Sequence, residues 1–445
     1  MWQQDGFRYD LGPSWYLMPD VFDRFFGLLG TTASEQLDLV RLSPSYRVFF
    51  GPGDVIDVPA DLGATRALFD TFEPDGGHKL ARYLDQAAYQ YDVAMNEFVY
   101  RDYRRLRDFF NRRMLTEGAR LQVFRKLDAH VAATFDSDRA RKVLQYSMVF
   151  LGGAPDNTPA LYSIMSHVDL TLGVWYPMGG IGAVVAAIQR LAEDAGATFS
   201  FGREVRAVTV RDGRVVGVET EDGPLRADMV VANADYHHVE TELLPPEHRQ
   251  YSERYWRSRV VAPSAFIVYL GLDRRIDALE HHSLFLARDW VKHFNTIFRR
   301  PEWPREPSYY VCAPSRTDPV MAPPGCENLF VLVPVAAGLQ DEDDVRERFE
   351  DMILTDLETQ IGQGVREHIV LKRTFAHRDF SARYNAFRGT ALGLAHTLRQ
   401  TALFRPRHRS SKVRGLYYTG QYTHPGIGVP MTLISSELVA RELTE

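Results

Sequence analysis

Apolar and polar positions divide the chain into three textures. From Asp61 to about Val149, apolar residues recur at three- and four-residue spacings in runs such as "LARYLDQAAYQYDVAMNEFV" and "KVLQYSMVFL", which predicts helices with no strand between them. From Ile181, the positions Ile181, Val184, Val185, Ile188, Leu191 and Ala192 line one helical face, and Gly196 supplies the stop. Alternation then takes over: "TFSFGREVRAVTV" and "RVVGVET" read as strands joined by Asp212-Gly213, a pair that tolerates the positive φ of a tight hairpin turn. The run "ADMVVANAD" is apolar over most of its length, which predicts a strand covered on both faces. Further strands are expected in "SAFIVYLGL", "LFVLVPVA" and "VLKRTFAHRDF", forming a second sheet.

Composition narrows the class. The 445 residues are 45% hydrophobic and 25% charged, enough for a large core and two or three interleaved units. A net charge of -6 with no basic tail argues against nucleic acid as a partner. Cys312 and Cys326 form no CxxC or Cys/His cluster in sequence, so neither a disulfide framework nor a metal site is expected. The pairs His237-His238 and His281-His282 lack metal-like partners along the chain and are expected on the surface. No apolar run approaches the roughly 18 residues that span a bilayer, which leaves peripheral contact as the form any membrane association takes.

The densest motif is "GLYYTGQYTHPGIGVPMTLISSELVARELTE". A short strand at Leu416–Thr419 leads through Gly420, Gly426 and Gly428 to a helix start with Pro430 in its first turn. The N–H groups and partial positive charge of such a start suit an anion, or a ring that becomes anionic on reduction. A glycine-rich turn without ligand has the same texture.

Taken together, "DGFRYDLGPSWYLMPDVF", "LGGAPDNTPALYSIMSHVDLTLGVWYPMGGIGAVV", "LRADMVVANAD", "GTALGL…TALFRP" and the C-terminal block resemble the bacterial and archaeal phytoene desaturases, FAD-dependent carotenoid desaturases of the amine-oxidase-like flavoprotein group. The resemblance implies a mixed α/β fold. A Rossmann-like FAD domain (1–60, 161–245 and 405–445) would interleave with a helical, membrane-facing subdomain (61–160) and a substrate-binding sheet domain (246–404). It implies hydride removal to flavin N5 from a long linear carotene such as phytoene, with oxygen or a quinone as electron acceptor. A cis-trans isomerase on the same scaffold is the alternative. Members of the family begin with a strand, a GxGxxG turn and an acid-ended second strand. This chain begins at the segment that follows them, so the resemblance implies that a βαβ unit on the order of 30 residues is missing and, in a third reading, that the product is inactive.

Residue by residue, Gly12-Pro13 resembles the family's Gly-Pro near the flavin, and Val205 the valine at the adenine. Gly179-Gly180 resembles the glycine pair beside the flavin; Gly420, Gln421, Thr423, His424, Gly428, Val429, Pro430 and Met431 resemble the closing flavin motif. Gln421 departs from it, standing where the wider group often has Asp. "GGIGAV" at Gly179–Val184 is not a dinucleotide fingerprint, because its next position is Val185 and a proline precedes it. For a catalytic acid or base the residues offer only Asp136, Asp138 and His424. Asp136-Ser137-Asp138 equally reads as a helix cap, and His424 as a hydrogen-bonding residue at the flavin side.

The stretch from Arg101 to Lys126 holds nine Lys/Arg against three Asp/Glu, interleaved with Tyr103, Phe109, Phe110 and other apolar residues. That is the expected form of an interfacial anchor on anionic lipid. With an apolar substrate that resides in the bilayer, it predicts peripheral association with the inner face of the cell membrane.

Overall fold

The computed structural model describes residues 1–101, 125–287 and 289–444. Its centre is a seven-stranded sheet in the order Ile369–Phe375, Ser264–Leu272, Glu327–Val335, Tyr309–Cys312, His282–Phe285, Tyr46–Gly51 and Asp54–Val58. Neighbours are antiparallel except His282–Phe285 with Tyr46–Gly51. The second sheet expected from the apolar runs is thus present, and the segment 1–60 contributes its last two strands to it.

Strand Ser264–Leu272 is buried at every position because both faces are covered. Ile267 and Tyr269 face one core together with Leu80, Tyr83 and Leu84 of helix Gly76–Ala94 and Val143 and Leu144 of helix Asp138–Gln145. Phe266, Val268 and Leu270 face another, closed by Phe349, Ile353 and Leu357 of helix Asp343–Ile361. Helices Leu62–Phe72, Gly76–Ala94 and Asp138–Gln145, in the part of the chain predicted to be helical, form the first of these covering layers.

Strand Val230–Ala232 pairs in parallel with Leu416–Tyr418, and the meander Val205–Arg211, Arg214–Thr220, Gly223–Arg226 stands beside them. Asp212 and Gly213 take φ of 50° and 70°, as the tight hairpin requires. The expectation that "ADMVVANAD" is covered on both faces is corrected: Met229 and Val231 are 47% and 42% exposed. A two-stranded sheet offers Val231 no second layer among the described residues. Helices Ile181–Asp194 and Val429–Thr444 meet in one core, where Ile181, Val184 and Leu433 pack with Tyr16, Phe22 and Phe26. No helix among the described residues is long and apolar enough to cross a membrane. The basic stretch read as an interfacial helix lies, from 102 to 124, outside the described residues.

Candidate flavin and substrate site

Three of the motif segments come together in that last core. The 12–16 loop enters through Tyr16, the glycine pair through Ile181, and the C-terminal motif through Val429 and Leu433. Val205 does not join them. It opens the meander, 36% exposed, and the meander's core residues Val208 and Val215 pack instead with Leu416 and Tyr418.

The glycine pair is held by two carboxylates from distant parts of the chain. Asp10 accepts from the N–H groups of Ile181 (2.7 Å) and Gly182 (2.9 Å), and Asp318 accepts from Gly179 N–H (2.6 Å) and the Tyr176 hydroxyl (3.3 Å). Burial raises the Asp10 pKa, while these two backbone bonds oppose the rise. The start of this helix is therefore already satisfied by a protein carboxylate, and the reading of "GGIGAV" as no phosphate cradle agrees with that geometry. Gly12 has open space around it and Pro13 is exposed, so that loop presents an accessible edge.

The C-terminal turn is built around Ser435. Its Oγ accepts from Gly420 N–H (3.1 Å) and lies 2.9 Å from both Thr419 Oγ1 and Thr423 Oγ1. Thr423 in turn donates to the Gly420 carbonyl. The Gln421 carbonyl accepts from Arg405 Nη2 at 2.6 Å. His424 donates Nε2–H to the Val99 carbonyl (3.0 Å), which commits that nitrogen to a structural bond. Gly428 is exposed at φ 117°, and a Cβ there would meet only Met431 and Pro430 at 3.8 Å and beyond, so the helix start formed by Val429, Pro430 and Met431 can be approached closely.

Arg405 is a component the sequence reading did not pick out. It is 3% exposed, and its donors go to four backbone carbonyls: Thr423, Gln400, Leu394 and Gln421. No ion pair accompanies it among the described residues. Burial lowers its pKa to about 10, which leaves a guanidinium cation against the 420–424 turn at neutral pH. Positive φ at Gly420, Gly426 and Gly428, an open helix start and this buried cation fit a planar ring that gains negative charge on reduction.

Asp169 is the second residue missed. It is 4% exposed, its Oδ2 accepts from the hydroxyls of Tyr46 (2.7 Å) and Tyr146 (3.1 Å), and its Oδ1 has no hydrogen-bond partner among the described residues. Burial pushes its pKa up to about 7 against the opposing pull of the two tyrosines. Trp15, from the loop after Gly12-Pro13, packs against both tyrosines at 5.8 and 6.2 Å and stacks flat on His282 at 4.0 Å. A buried carboxyl thus stands in an aromatic wall continuous with the Gly12-Pro13 loop.

The sequence-proposed acids are placed elsewhere. The side chains of Asp136 and Asp138 are 92% and 78% exposed, and Ser137 caps helix Asp138–Gln145 by accepting from Ala140 N–H. The backbone N–H groups of Asp136 and Ser137 donate to Glu73. This is the capping arrangement, with both carboxylates turned to water. The expectation for the histidine pairs is corrected as well. His281 and His282 are 4% and 0% exposed, because strand His282–Phe285 lies inside the sheet between two others. His237 is half-buried, stacked on Phe387 at 4.1 Å.

Comparison with known proteins agrees with this architecture. The family of flavin containing amine oxidoreductases matches residues 1–444. A carotenoid 3,4-desaturase of Haloarcula japonica is 49% identical over 99% of this chain and 89% of its own length. A zeta-carotene-forming phytoene desaturase of Myxococcus xanthus is 33% identical over 99% and 86%. Among solved structures, an oxidoreductase from Methanosarcina mazei superposes with a TM-score of 0.59 at 14% identity, covering 100% of this chain and 90% of that one. A putrescine oxidase triple mutant gives 0.57 at 13%, covering 99% and 89%. At these identities the two structures speak for the fold alone. The comparisons lend no support to the expectation of a truncated product. With residues 1–444 matched by that family's model and 99% of the chain aligned to each of these two relatives, the chain belongs to the flavin containing amine oxidoreductases.

Proposed function

We propose that this chain is an FAD-dependent carotenoid desaturase that introduces a double bond into a long, linear, apolar polyene. The observation that carries the proposal is the 49% identity, over 99% of the chain, to a protein named for 3,4-desaturation of a carotenoid. That identity exceeds the 33% to a phytoene desaturase, so the 3,4 position of an already conjugated linear carotenoid is favoured over phytoene itself. FAD would be held by the Gly420–Met431 turn and helix start and approached by the Gly12-Pro13 loop. When bound it supplies a hydride acceptor.

The chain's own part is to orient a substrate without polar handles and to receive one proton. Trp15, Tyr46, Tyr146 and Tyr310 provide aromatic surface for the first task. Asp169 suits the second: protonation at Oδ1 leaves Oδ2 accepting from two tyrosines, and a pKa near 7 lets the carboxyl take up and release a proton at neutral pH. The Arg405 cation favours negative charge developing beside the 420–424 turn.

The test is expression in a host that accumulates linear carotenoids, with separate strains supplying phytoene and a conjugated acyclic carotene. A desaturase gives products lighter by two hydrogens per step with red-shifted absorption. Products of unchanged mass and altered retention would mean isomerisation and sink the proposal. Product from phytoene alone would overturn the 3,4 assignment.

Delivery and electron disposal belong to the same reading. The basic, aromatic stretch between Arg101 and Lys126 supports peripheral binding to an anionic membrane surface on the cytoplasmic side. Replacing alternate apolar residues from Tyr103 to Phe124 with Asp should release the protein from anionic liposomes in flotation. Unchanged flotation would assign the stretch to the protein's own packing. Oxygen or a membrane quinone is the proposed acceptor, distinguished by anaerobic turnover with and without added quinone.

A further inference from the structure

One buried cluster of ligating side chains has no part in the flavin or proton-acceptor roles. His281, His282 and Cys312 are 4%, 0% and 3% exposed, and one donor atom from each lies within 4.8 Å of the other two. The fold makes this grouping: His282 and Cys312 are direct partners across antiparallel strands, and the His281 carbonyl accepts from Ala313 N–H at 2.8 Å. Sequence distance hid it.

Each ring has its Nδ1 beside a hydroxyl. His281 Nδ1 lies 2.7 Å from Thr317 Oγ1, and His282 Nδ1 lies 2.6 Å from the Tyr310 hydroxyl, which also contacts Ser14 Oγ at 3.0 Å. Trp15 stacks on His282, and Tyr176 meets His281 edge-on at 4.6 Å. Both Nε2 atoms are buried with no hydrogen-bond partner among the described residues. Buried polar atoms are nearly always paired, so two orphans beside a thiol call for an occupant. An imidazole whose Nδ1–H is engaged by an oxygen while Nε2 keeps its lone pair is in the state that ligates metals.

We propose that His281, His282 and Cys312 form a buried three-coordinate site for a soft monovalent cation, Cu⁺, ligated by two imidazole nitrogens and one thiolate. Thiolate and imidazole together suit copper and zinc. Two features select Cu⁺. A dry core penalises net charge, and one thiolate neutralises Cu⁺ but leaves Zn²⁺ with a residual positive charge. Structural zinc takes four ligands, and no fourth His, Cys, Asp or Glu joins this group among the described residues.

Three ligands at about 2 Å from an ion in their plane stand about 3.5 Å apart, so side-chain shifts of about 1 Å close the site. Binding replaces the thiol proton with the ion: the S–H bond breaks, the S–Cu bond forms, the proton leaves to solvent and no electron is transferred. The ion would enter during folding, since the ligands are sealed in the finished sheet. It would tie strands His282–Phe285 and Tyr309–Cys312 together beneath Ser14 and Trp15.

The experiment refolds the full, reduced chain with Cu⁺ present, supplied anaerobically as its acetonitrile complex, and then challenges the folded protein with bicinchoninate. We expect one equivalent held per chain, a raised thermal midpoint, and X-ray absorption showing one sulfur and two imidazole nitrogens. Cys312→Ser should weaken binding by at least about a hundredfold, whereas Cys326→Ser should leave it unchanged. Tyr310→Phe, which frees the His282 ring, should cost about 10- to 100-fold. Absent binding, loss of binding in Cys326→Ser, or a sulfur-only shell would overturn the site. Tighter retention of Zn²⁺ than of Cu⁺ would overturn the choice of ion. The absorption spectrum of the wild-type protein decides even if Cys312→Ser fails to fold.

Discussion

Gly180 and Asp10 fit each other with no room for a methyl group. A Cβ on Gly180 would stand 2.5 Å from Asp10 Oδ2, at a φ of 81°, while that carboxylate closes the start of helix Ile181–Asp194. Gly180→Ala therefore meets left-handed strain and expels the cap at once. Strain of this kind costs about 1–3 kcal/mol, and loss of an N-terminal cap about 0.5–2 kcal/mol. Asp10→Ala should show only the second cost. Urea midpoints of the flavin-free proteins will rank wild type above Asp10→Ala above Gly180→Ala. Equal midpoints for the two variants would show that Asp10 is the whole effect.

That pair also marks how far sequence reasoning reached. The glycines, the hairpin at Asp212-Gly213 and the helix start at Pro430 were legible because each signal lies within a few consecutive residues and rests on backbone conformation alone. Apolar periodicity likewise placed the helices and the strands Ser264–Leu272 and Glu327–Val335. What holds the glycines was not legible: Asp10 and Asp318 reach Gly179–Gly182 from more than 130 residues away on either side in sequence. His281 and His282 look exposed as a polar pair, and become buried only when strand pairing sets His282 opposite Cys312. Asp169 sits in the mixed run "SIMSHVDLTL", where no local spacing sets it apart from its polar neighbours. Its partners Tyr46 and Tyr146 come from a strand and a helical turn elsewhere.

Asp169 predicts a pH signature. Burial lifts its pKa from the ordinary 3.8 to about 7, so the unfolded chain gives up this proton more readily than the folded one. The resulting stabilisation is complete below the unfolded value and is lost as pH rises through about 7, an effect on the order of 4 kcal/mol. Tyr46 and Tyr146 are the groups facing it, and both stay protonated throughout because burial drives their pKa values up. Asp169→Asn keeps an acceptor oxygen for the tyrosines and removes the titration. Between about pH 5 and about pH 8 the wild-type urea midpoint should fall more steeply than that of Asp169→Asn. Parallel profiles would show that the carboxyl does not titrate there. The same variant should lower turnover without changing substrate binding, as expected for a lost proton acceptor.

Arg405 carries the last prediction. Its guanidinium links Leu394 and Gln400 to Gln421 and Thr423, so one side chain fixes the closing turn against the preceding loop. The turn is shaped around it: a Cβ on Gly426 would come within 3.0 Å of the Arg405 Cζ and 2.4 Å of His396 Cε1. Arg405→Met preserves length and removes every donor, leaving buried carbonyls at about 1–3 kcal/mol each where no other donor reaches them. Loss of at least about 3 kcal/mol is expected. Arg405→Lys keeps the charge but lacks the planar fork, so its ammonium cannot serve all four carbonyls and its stability should lie between the two. Gly426→Ala should behave like Arg405→Met, and combining the two should add less than their sum, because both break one packing unit. Full additivity in urea unfolding would separate the glycine from the arginine, and a wild-type midpoint for Arg405→Met would mean that the carbonyls find other donors.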